Sequence, residues 1–217
     1  MMYKVVGVSL LVLFSCYVAP KPRILVIGDS ISIGYFSFVK EALAAKADVY
    51  HNAGNAQHTA TGLEKIQLWL GEGHWDVIQF NWGLWDIAYR NPESNEQGNR
   101  DKQHGTIAIS PEKYRENLES LVVTLKRTGA KLIFVTTTVV PKKEAGRFVG
   151  DEERYNKIAR EVMKKNGILI NELYTPSLAI HAKFGMGDDN VHYTKEGYQQ
   201  LSKPIIAELE RTLHHLK

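Results

Sequence analysis

The sequence lacks the features typical of disulfide, zinc-finger and nucleic-acid-binding proteins. Among its 217 residues there is one cysteine, Cys16, which excludes an intrachain disulfide and a cysteine-ligated zinc site. The 27 basic and 24 acidic side chains give a net charge of +3 without a dense basic block, so we expect no nucleic-acid partner. Hydrophobic residues make up 44% of the chain and charged residues 24%, which is typical of a folded globular protein rather than a disordered one.

The sequence also lacks an apolar run long enough for a typical membrane-spanning helix. The longest run, at 5–16, has about 12 residues and follows Lys4, which is typical of a secretory signal peptide. We therefore interpret 1–19 as a signal sequence and expect a single folded domain, 22–217, outside the cytoplasm.

Cys16 adds an alternative to plain secretion. It follows Leu13-Phe14-Ser15, and this segment resembles a bacterial lipobox, in which the cysteine is lipidated and becomes the mature N-terminus. A lipidated Cys16 would attach the protein to a membrane as a lipoprotein. The other outcomes are a secreted or periplasmic chain that has lost Cys16, and a retained anchor.

Short apolar runs alternate with longer amphipathic stretches from Arg23 onward. Strands alternating with helices predict an α/β fold, a three-layer α/β/α sandwich around a parallel sheet of about five strands. Pro204 falls inside the last predicted helix and should kink or restart it. We predict strands at 24–28, 48–54, 75–81, 131–140 and 168–173, and helices at 31–46, 59–71, 111–128, 151–166 and from 195 onward.

Two predicted connections are long. Residues 86–110 are polar and rich in Asn, Gln and Arg, and residues 141–150 are shorter and basic. A connection of about 25 residues in a compact domain generally serves a site or is disordered. Because ligands of open α/β sheets bind beyond the carboxyl ends of the strands, we expect the functional site at that edge.

A serine stands at the turn between the first predicted strand and helix. Ser30 follows Gly28-Asp29, so its hydroxyl would be exposed on a rigid turn beside the free N–H groups of the helix start. That position suits a nucleophile, although Asp29 or Ser30 could instead simply cap the helix. The segment lacks the Lys-Ser/Thr of a P-loop and the GxGxxG spacing of a dinucleotide-binding fold.

One of the eight histidines has neighbours that suit a general base. His192 ends the polar stretch 187–192, and Asp189 precedes it by three residues. In a turn, that separation lets the carboxylate reach Nδ1 of the imidazole while Nε2 faces outward, as activation of a serine requires. The alternatives are a surface histidine beside an acidic turn and a metal site, although no second histidine lies at ligand spacing.

Together these segments resemble the SGNH/GDSL hydrolase superfamily. The resemblance rests on Gly-Asp-Ser-Ile at 28–31, on Gly54 after the second strand and on Asp-x-x-His at 189–192, in the family's order over 23–217. It implies a flavodoxin-like SGNH hydrolase fold that hydrolyses carboxylic esters with no cofactor and no metal.

The resemblance also implies roles for individual residues. Ser30 would be the nucleophile, His192 the general base and then the general acid, and Asp189 the group that orients His192. The N–H groups of Ser30 and Gly54 would hold the oxyanion. An asparagine from the family's third sequence block would complete that oxyanion hole.

The third sequence block departs from the family's Gly-x-Asn-Asp. Here it reads Gly83-Leu84-Trp85-Asp86, so Trp85 stands where the asparagine should be. The indole N–H of Trp85 is one possible oxyanion donor, and the side-chain amide of Asn81 is another. A third alternative is that neither donates, which would weaken catalysis because one such donor contributes roughly 10²–10³ in rate.

Aromatic and polar residues near the third strand suggest a sugar substrate. We predict that Trp82, Tyr89 and Arg90 bind substrate, although Trp82 could belong to the core. We expect a short acyl group, most simply acetyl, on a carbohydrate, because no apolar run near the motifs would hold a long acyl chain. The alternatives are a lipase or lysophospholipase of the same superfamily and a weakly catalytic glycan-binding homologue.

Overall fold

A five-stranded parallel sheet forms the centre of the structure, a computed structural model in which residues 20–216 are described. The order across this sheet is β2-β1-β3-β6-β7, and β4 and β5 form a separate antiparallel pair. The predicted signal sequence and Cys16 lie outside the described residues. The strands are β1 (Arg23–Ile27), β2 (Asp48–His51), β3 (Val77–Phe80), β4 (Tyr89–Arg90), β5 (Thr106–Ile107), β6 (Lys131–Val135) and β7 (Leu169–Asn171).

Six helices cover the sheet in two layers. Helix α1 packs against α6 and α6 against α5, whereas α2 packs against α3 and α3 against α4. The predicted three-layer α/β/α sandwich is therefore confirmed. None of the helices within 20–216 is both long and apolar enough to span a membrane. The helices are α1 (Ser30–Leu43), α2 (Thr59–Leu70), α3 (Pro111–Lys126), α4 (Asp151–Lys165), α5 (Tyr174–Phe184) and α6 (Lys195–His214).

The register of the central strands brings polar residues together at one edge. Val26 of β1 lies opposite His51 of β2 and Gln79 of β3. β1 and β3 are interior strands of apolar sequence and are almost wholly buried, which fixes this register. Consequently the three segments that follow β1, β2 and β3 emerge side by side, and these segments carry the predicted site residues.

The predicted strand 131–140 is too long, because β6 ends at Val135. Thr136 N still donates to Asn171 O of β7 at 3.1 Å, but after it the backbone N–H groups donate to side chains of the helices. Thr137 N donates to Asn156 Oδ1 at 2.7 Å, and Val139 N donates to Ser177 Oγ at 3.0 Å. Side-chain acceptors from α4 and α5 thus replace a neighbouring strand, which an apolar sequence run cannot reveal.

Three other features add to or correct the sequence-based expectations. Helix α5 is not predicted, because only Ser177 of its residues is buried and it has no apolar stripe. Of the two expected effects of Pro204, a kink or a restart, the restart is wrong, because α6 runs unbroken through this residue. The polar connection 86–110 is ordered: β4 and β5 pair within it, and Ile87 is fully buried.

Candidate active site

Ser30 and His192 meet at the carboxyl edge of the sheet. The His192 Nε2 atom lies 2.9 Å from Ser30 Oγ, although 162 residues separate them in sequence. Both side chains are half-buried, so they remain open to a ligand. The predicted nucleophile and the predicted base are thus within hydrogen-bonding distance.

The turn that presents Ser30 is built by its two neighbours. Asp29 caps α1, because its Oδ1 accepts a hydrogen bond from Ile31 N at 2.9 Å. The cap belongs to Asp29, which leaves the Ser30 hydroxyl for His192. A Cβ on Gly28 would lie 2.6 Å from Ser32 Oγ, so a larger residue before this turn would force the Ser32 side chain to move. Burial raises the pKa of the Asp29 carboxyl, and the Ile31 N–H and the charge of Arg147 oppose that rise.

The expected contact between Asp189 and His192 is wrong in this structure. The Oδ1 atom of Asn190 lies 2.7 Å from His192 Nδ1, in the place predicted for the carboxylate. Asp189 is exposed, and its carboxylate turns back over Gly187, which has a φ of +120°. The spacing of an Asp-x-x-His turn does not specify which of two adjacent polar side chains faces the imidazole.

The surroundings of His192 favour its neutral form. Burial lowers the pKa of the imidazole, and the positive charges of Arg147 and then Arg100 lower it further. A neutral imidazole with a free Nε2 lone pair is the form that can accept the Ser30 proton. Its ability to act as a base should therefore persist below its usual pKa of about 6.5.

A loop at 52–57 runs beside the Ser30 turn. Asn52 Oδ1 accepts from Gly28 N at 2.9 Å, and its Nδ2 donates to Gly54 O at 3.1 Å. Gly54 adopts a φ of +71°, a conformation that glycine adopts without strain. Within residues 20–216, neither Ser30 N–H nor Gly54 N–H has a hydrogen-bond acceptor. Both predicted backbone donors are thus uncommitted.

The prediction that the Asn81 amide donates to the oxyanion is wrong. Asn81 Nδ2 donates to Val135 O at 2.7 Å and contacts Thr137 Oγ1 at 3.4 Å, so it links the end of β3 to the end of β6. An amide nitrogen has only two N–H donors, and both face these partners. Asn81 is therefore a structural residue of the sheet edge.

Trp82 is a core residue, so its predicted contact with substrate is also wrong. It is 1% exposed, and its Nε1 donates to Ala56 O at 3.3 Å. A Cβ on Gly62 would lie 2.7 Å from its ring, which shows how closely α2 packs on it. The expectation that Trp82 could belong to the core is the one that holds.

Trp85, Tyr89 and Arg90 lie on the half-buried rim. The Arg90 guanidinium stacks over the Trp85 ring at 4.7 Å, and Tyr89 packs edge-on against Phe148 at 5.2 Å. Among the hydrogen bonds of residues 20–216, none uses the Trp85 indole N–H. Trp85 thus has an uncommitted donor, whereas Arg90 already donates to Gly98 O.

A second Ser–His contact lies below the surface. Ser32 Oγ is 2.7 Å from His51 Nε2, but Ser32 is only 3% exposed. His51 Nδ1 in turn lies 2.9 Å from Asn52 O. Burial closes Ser32 to a substrate, so this pair links α1 to β2 and does not compete with Ser30.

The basic connection 141–150 contains a buried ion-pair cluster that its sequence did not predict. Glu144 is fully buried and accepts from Arg147 at 2.9 Å and from Arg100 at 2.7 Å. Arg147 also donates from Nε to Leu84 O at 2.6 Å, which ties this connection to the third sequence block. The spacing of Glu144 and Arg147 by three residues was the only sequence sign of the cluster.

Within 20–216, no group of three His, Cys, Asp or Glu side chains is arranged to hold a metal ion. The reactive groups at this edge of the sheet are a serine hydroxyl, an imidazole and backbone N–H donors. That set suits nucleophilic attack on a carbonyl carbon.

Comparison with known families agrees with this arrangement. The model of the GDSL-like Lipase/Acylhydrolase family matches residues 26–200. The chain therefore belongs to this family, within the SGNH/GDSL superfamily that its motifs resemble, and is a carboxylic ester hydrolase. No curated protein sequence matches the chain significantly.

Solved structures with the same fold include acetyl xylan esterases. The esterase AlAXEase superimposes with a TM-score of 0.69 at 16% identity, covering 86% of this chain and 99% of that one. Axe2, an acetylxylan esterase from Geobacillus stearothermophilus, gives a TM-score of 0.70 at 15% identity, with 88% and 94% covered. A lipase/acylhydrolase from Enterococcus faecalis gives 0.67 at 20% identity, with 88% and 96% covered. At these identities the likeness shows the fold alone.

Proposed function

We propose that this chain is a serine esterase that removes short acyl groups, acetyl above all, from carbohydrate alcohols. The observation that carries the proposal is the 2.9 Å contact between Ser30 Oγ and His192 Nε2. Family membership supplies the reaction class, and the residues around Ser30 supply the argument for the substrate.

The proposed reaction has two half-reactions. As Ser30 Oγ bonds to the ester carbonyl carbon, His192 Nε2 takes the hydroxyl proton and then gives it to the leaving alcohol. An acyl-enzyme and a free alcohol result. Water then attacks the acyl-enzyme, again losing a proton to His192, and the carboxylic acid leaves as the proton returns to Ser30.

The negative charge on the carbonyl oxygen needs donors that are in place before the reaction. We assign the N–H groups of Ser30 and Gly54 to this task, together with the indole N–H of Trp85. Their support is that none of the three is committed to another acceptor within residues 20–216. Fixed donors of this kind stabilise charge that appears only in the transition state.

The substrate proposal rests on the polarity of the rim. The segments 52–58 and 81–90 expose no large hydrophobic side chain. They present side-chain amides, the Arg90 guanidinium and the half-buried Trp85, which suit the hydroxyl groups of a sugar. The acetyl xylan esterases with the same fold add support, because their substrates are acetylated carbohydrates.

The location proposal rests on the sequence of residues 1–19. A charged start followed by about 12 apolar residues supports export from the cytoplasm. Lipidation of Cys16 is proposed as the means of membrane attachment if that residue is retained.

One observation favours a second candidate, a lipase-type enzyme. Phe148 and Val149 are 40% and 57% exposed in the connection that also carries Arg147. Exposed apolar side chains on a connection next to a site can bind an acyl chain. The lipase reading therefore predicts a preference for long acyl groups, contrary to the main proposal.

A chain-length series separates the two candidates. kcat/KM is measured on p-nitrophenyl acetate, propionate and octanoate, and acetate release is measured on acetylated xylo-oligosaccharides. The carbohydrate proposal predicts the highest kcat/KM on acetyl or propionyl esters and acetate release from the sugar. A rise in kcat/KM toward octanoate, with no release from the sugar, would favour the lipase. The Ser30→Ala variant serves as the matched blank.

A further inference from the structure

The hydrogen bonds of Asn190 determine the tautomer of His192. The same Asn190 atom lies 3.0 Å from the backbone N of His192 and 2.7 Å from its Nδ1. A backbone N–H can only donate, so the atom facing it must be the amide oxygen. Because that oxygen can only accept, His192 Nδ1 must carry a proton. Nε2 is then left without one, as the contact with Ser30 requires.

Asn190 is itself held firmly behind the imidazole. Its backbone O accepts from His181 Nε2 of α5 at 2.8 Å, and the backbone O of His192 accepts from Met186 N at 3.0 Å. Val191, between Asn190 and His192, is buried. The Asn190 amide oxygen therefore belongs to a loop that is fixed by hydrogen bonds and by the buried Val191, whereas the neighbouring Asp189 is exposed.

The charged, titratable and polar groups around His192 come from several elements. The connection 141–150 contributes Arg147 and the connection 86–110 contributes Arg100, and both positive charges act on the imidazole. Helix α1 contributes Ser30 and, at its cap, the buried Asp29. Helix α5 contributes His181 through Asn190. The exposed Asp188 and Asp189 belong to the loop of His192 itself, and neither carboxylate hydrogen-bonds to the imidazole among the described residues.

We propose that Asn190, and not Asp189, is the residue that positions His192, so that the catalytic set is Ser30–His192–Asn190 with a neutral third member. This inference rests on the proposed serine esterase activity. The amide oxygen holds the ring in the orientation and tautomer that leave Nε2 facing Ser30. It accepts a hydrogen bond from Nδ1–H both before and after Nε2 takes the proton from Ser30.

A neutral positioning residue has a functional consequence. A carboxylate beside Nδ1 stabilises the imidazolium by charge, whereas an amide stabilises it only by a hydrogen bond. The positive charges of Arg147 and Arg100 also oppose protonation of His192. His192 should therefore stay unprotonated to a lower pH than it would if an aspartate stood in the place of Asn190. The enzyme would therefore retain activity in mildly acidic surroundings.

The test compares three variants of the full chain with the wild type: Asn190→Ala, Asn190→Asp and Asp189→Asn. kcat and KM for p-nitrophenyl acetate are measured between pH 4 and pH 9. We expect Asn190→Ala to lower kcat roughly 10²-fold with KM nearly unchanged, because the general base loses its orientation. We expect Asn190→Asp to remain active while its acid limb moves up by about one pH unit or more. Asp189→Asn should have the same kcat and the same acid limb of the pH profile as the wild type.

Two results would overturn the proposal. One is a lowered kcat in Asp189→Asn together with a wild-type kcat in Asn190→Ala. The other is an acid limb in Asn190→Asp that coincides with that of the wild type. The second readout needs only the near-isosteric Asn190→Asp, so it remains decisive if Asn190→Ala does not fold. Failure of the esterase proposal itself is recognised separately, because Ser30→Ala would then hydrolyse esters as fast as the wild type.

Discussion

The backbone N of Ala56 donates to the backbone O of Gly28 at 3.0 Å, which ties the 52–57 loop directly to the turn that carries Ser30. Asn52 adds a second link through its bond from Gly28 N. The two proposed backbone donors to the oxyanion, on Ser30 and Gly54, therefore belong to segments that are fixed to each other. Their spacing is set by the ends of β1 and β2.

Gly54 offers a test of that spacing. Its φ of +71° disfavours a residue with a Cβ, although a Cβ would meet no atom within 4 Å. We expect Gly54→Ala to lower kcat by displacing the N–H, with little change in KM. Gly54→Asn is the control, because asparagine adopts the left-handed region more readily than alanine, and it should retain more of the wild-type kcat. Equal kcat in Gly54→Ala and the wild type would contradict the expectation that catalysis depends on glycine at this position.

Asn81 should matter for stability and not for the chemical step. Removing its amide in Asn81→Ala leaves the Val135 carbonyl without its donor, which should cost about 1–3 kcal/mol of unfolding free energy. Denaturant unfolding measures the loss, and kcat at a temperature where the variant is folded should stay within about twofold of the wild type. A stable Asn81→Ala variant with a hundredfold lower kcat would restore Asn81 to the oxyanion hole.

Trp85 is the remaining candidate for the third oxyanion donor. The Trp85→Phe variant keeps an aromatic ring under the Arg90 guanidinium and removes the indole N–H together with some ring surface. If that N–H holds the oxyanion, kcat should fall roughly 10²-fold while KM barely changes. Unchanged kcat with a raised KM for acetylated sugars would instead make Trp85 a sugar-binding surface.

The buried carboxyl of Asp86 should make the free energy of unfolding depend on pH. Asp86 is fully buried, and burial raises the pKa of its carboxyl to about 7, although the Thr59 hydroxyl and N–H oppose this. Because the folded state holds this proton more tightly than the unfolded state, its contribution favours folding at pH 4. That contribution declines as the pH rises toward 7 and is constant above it.

The matching experiment compares the unfolding free energies of the wild type and Asp86→Asn at pH 5 and pH 8. The difference between the two proteins should change in favour of Asp86→Asn at pH 8, because only the wild type loses the protonated carboxyl. Histidines with lowered pKa values contribute equally to both proteins and cancel in the difference. A difference that is independent of pH would show that Asp86 is already ionised in the folded protein at pH 5.

The sequence alone predicted those parts of the fold and the site that depend on local residue patterns. The buried strand before Gly28 and the helix after Ser30 define the nucleophile turn, and the order of motifs connects it to His192. Contacts that depend on how distant segments pack together could not be predicted from such local patterns. Asn190 was missed because two adjacent polar residues compete for the imidazole, and only the folded loop selects one.

The errors at Asn81 and Trp82 have a related physical origin. Both residues follow β3, where the sequence shows polar and aromatic side chains but not which way each one faces. Asn81 turns toward β6, and Trp82 turns inward against α2. Helix α5 was missed because it contributes a single buried residue to the core, so no apolar periodicity marks it.

Covalent labelling by a fluorophosphonate tests most directly the claim that His192 activates Ser30. The reagent phosphonylates an activated serine, and mass spectrometry of the digested protein locates the modified residue. We expect one label per chain, on Ser30, with no label in Ser30→Ala and very slow labelling in His192→Ala. Ser32→Ala is the matched control, since the buried Ser32 lies two residues away, and it should label like the wild type. Label on another residue, or Ser30 label at the same rate in His192→Ala, would contradict the claim.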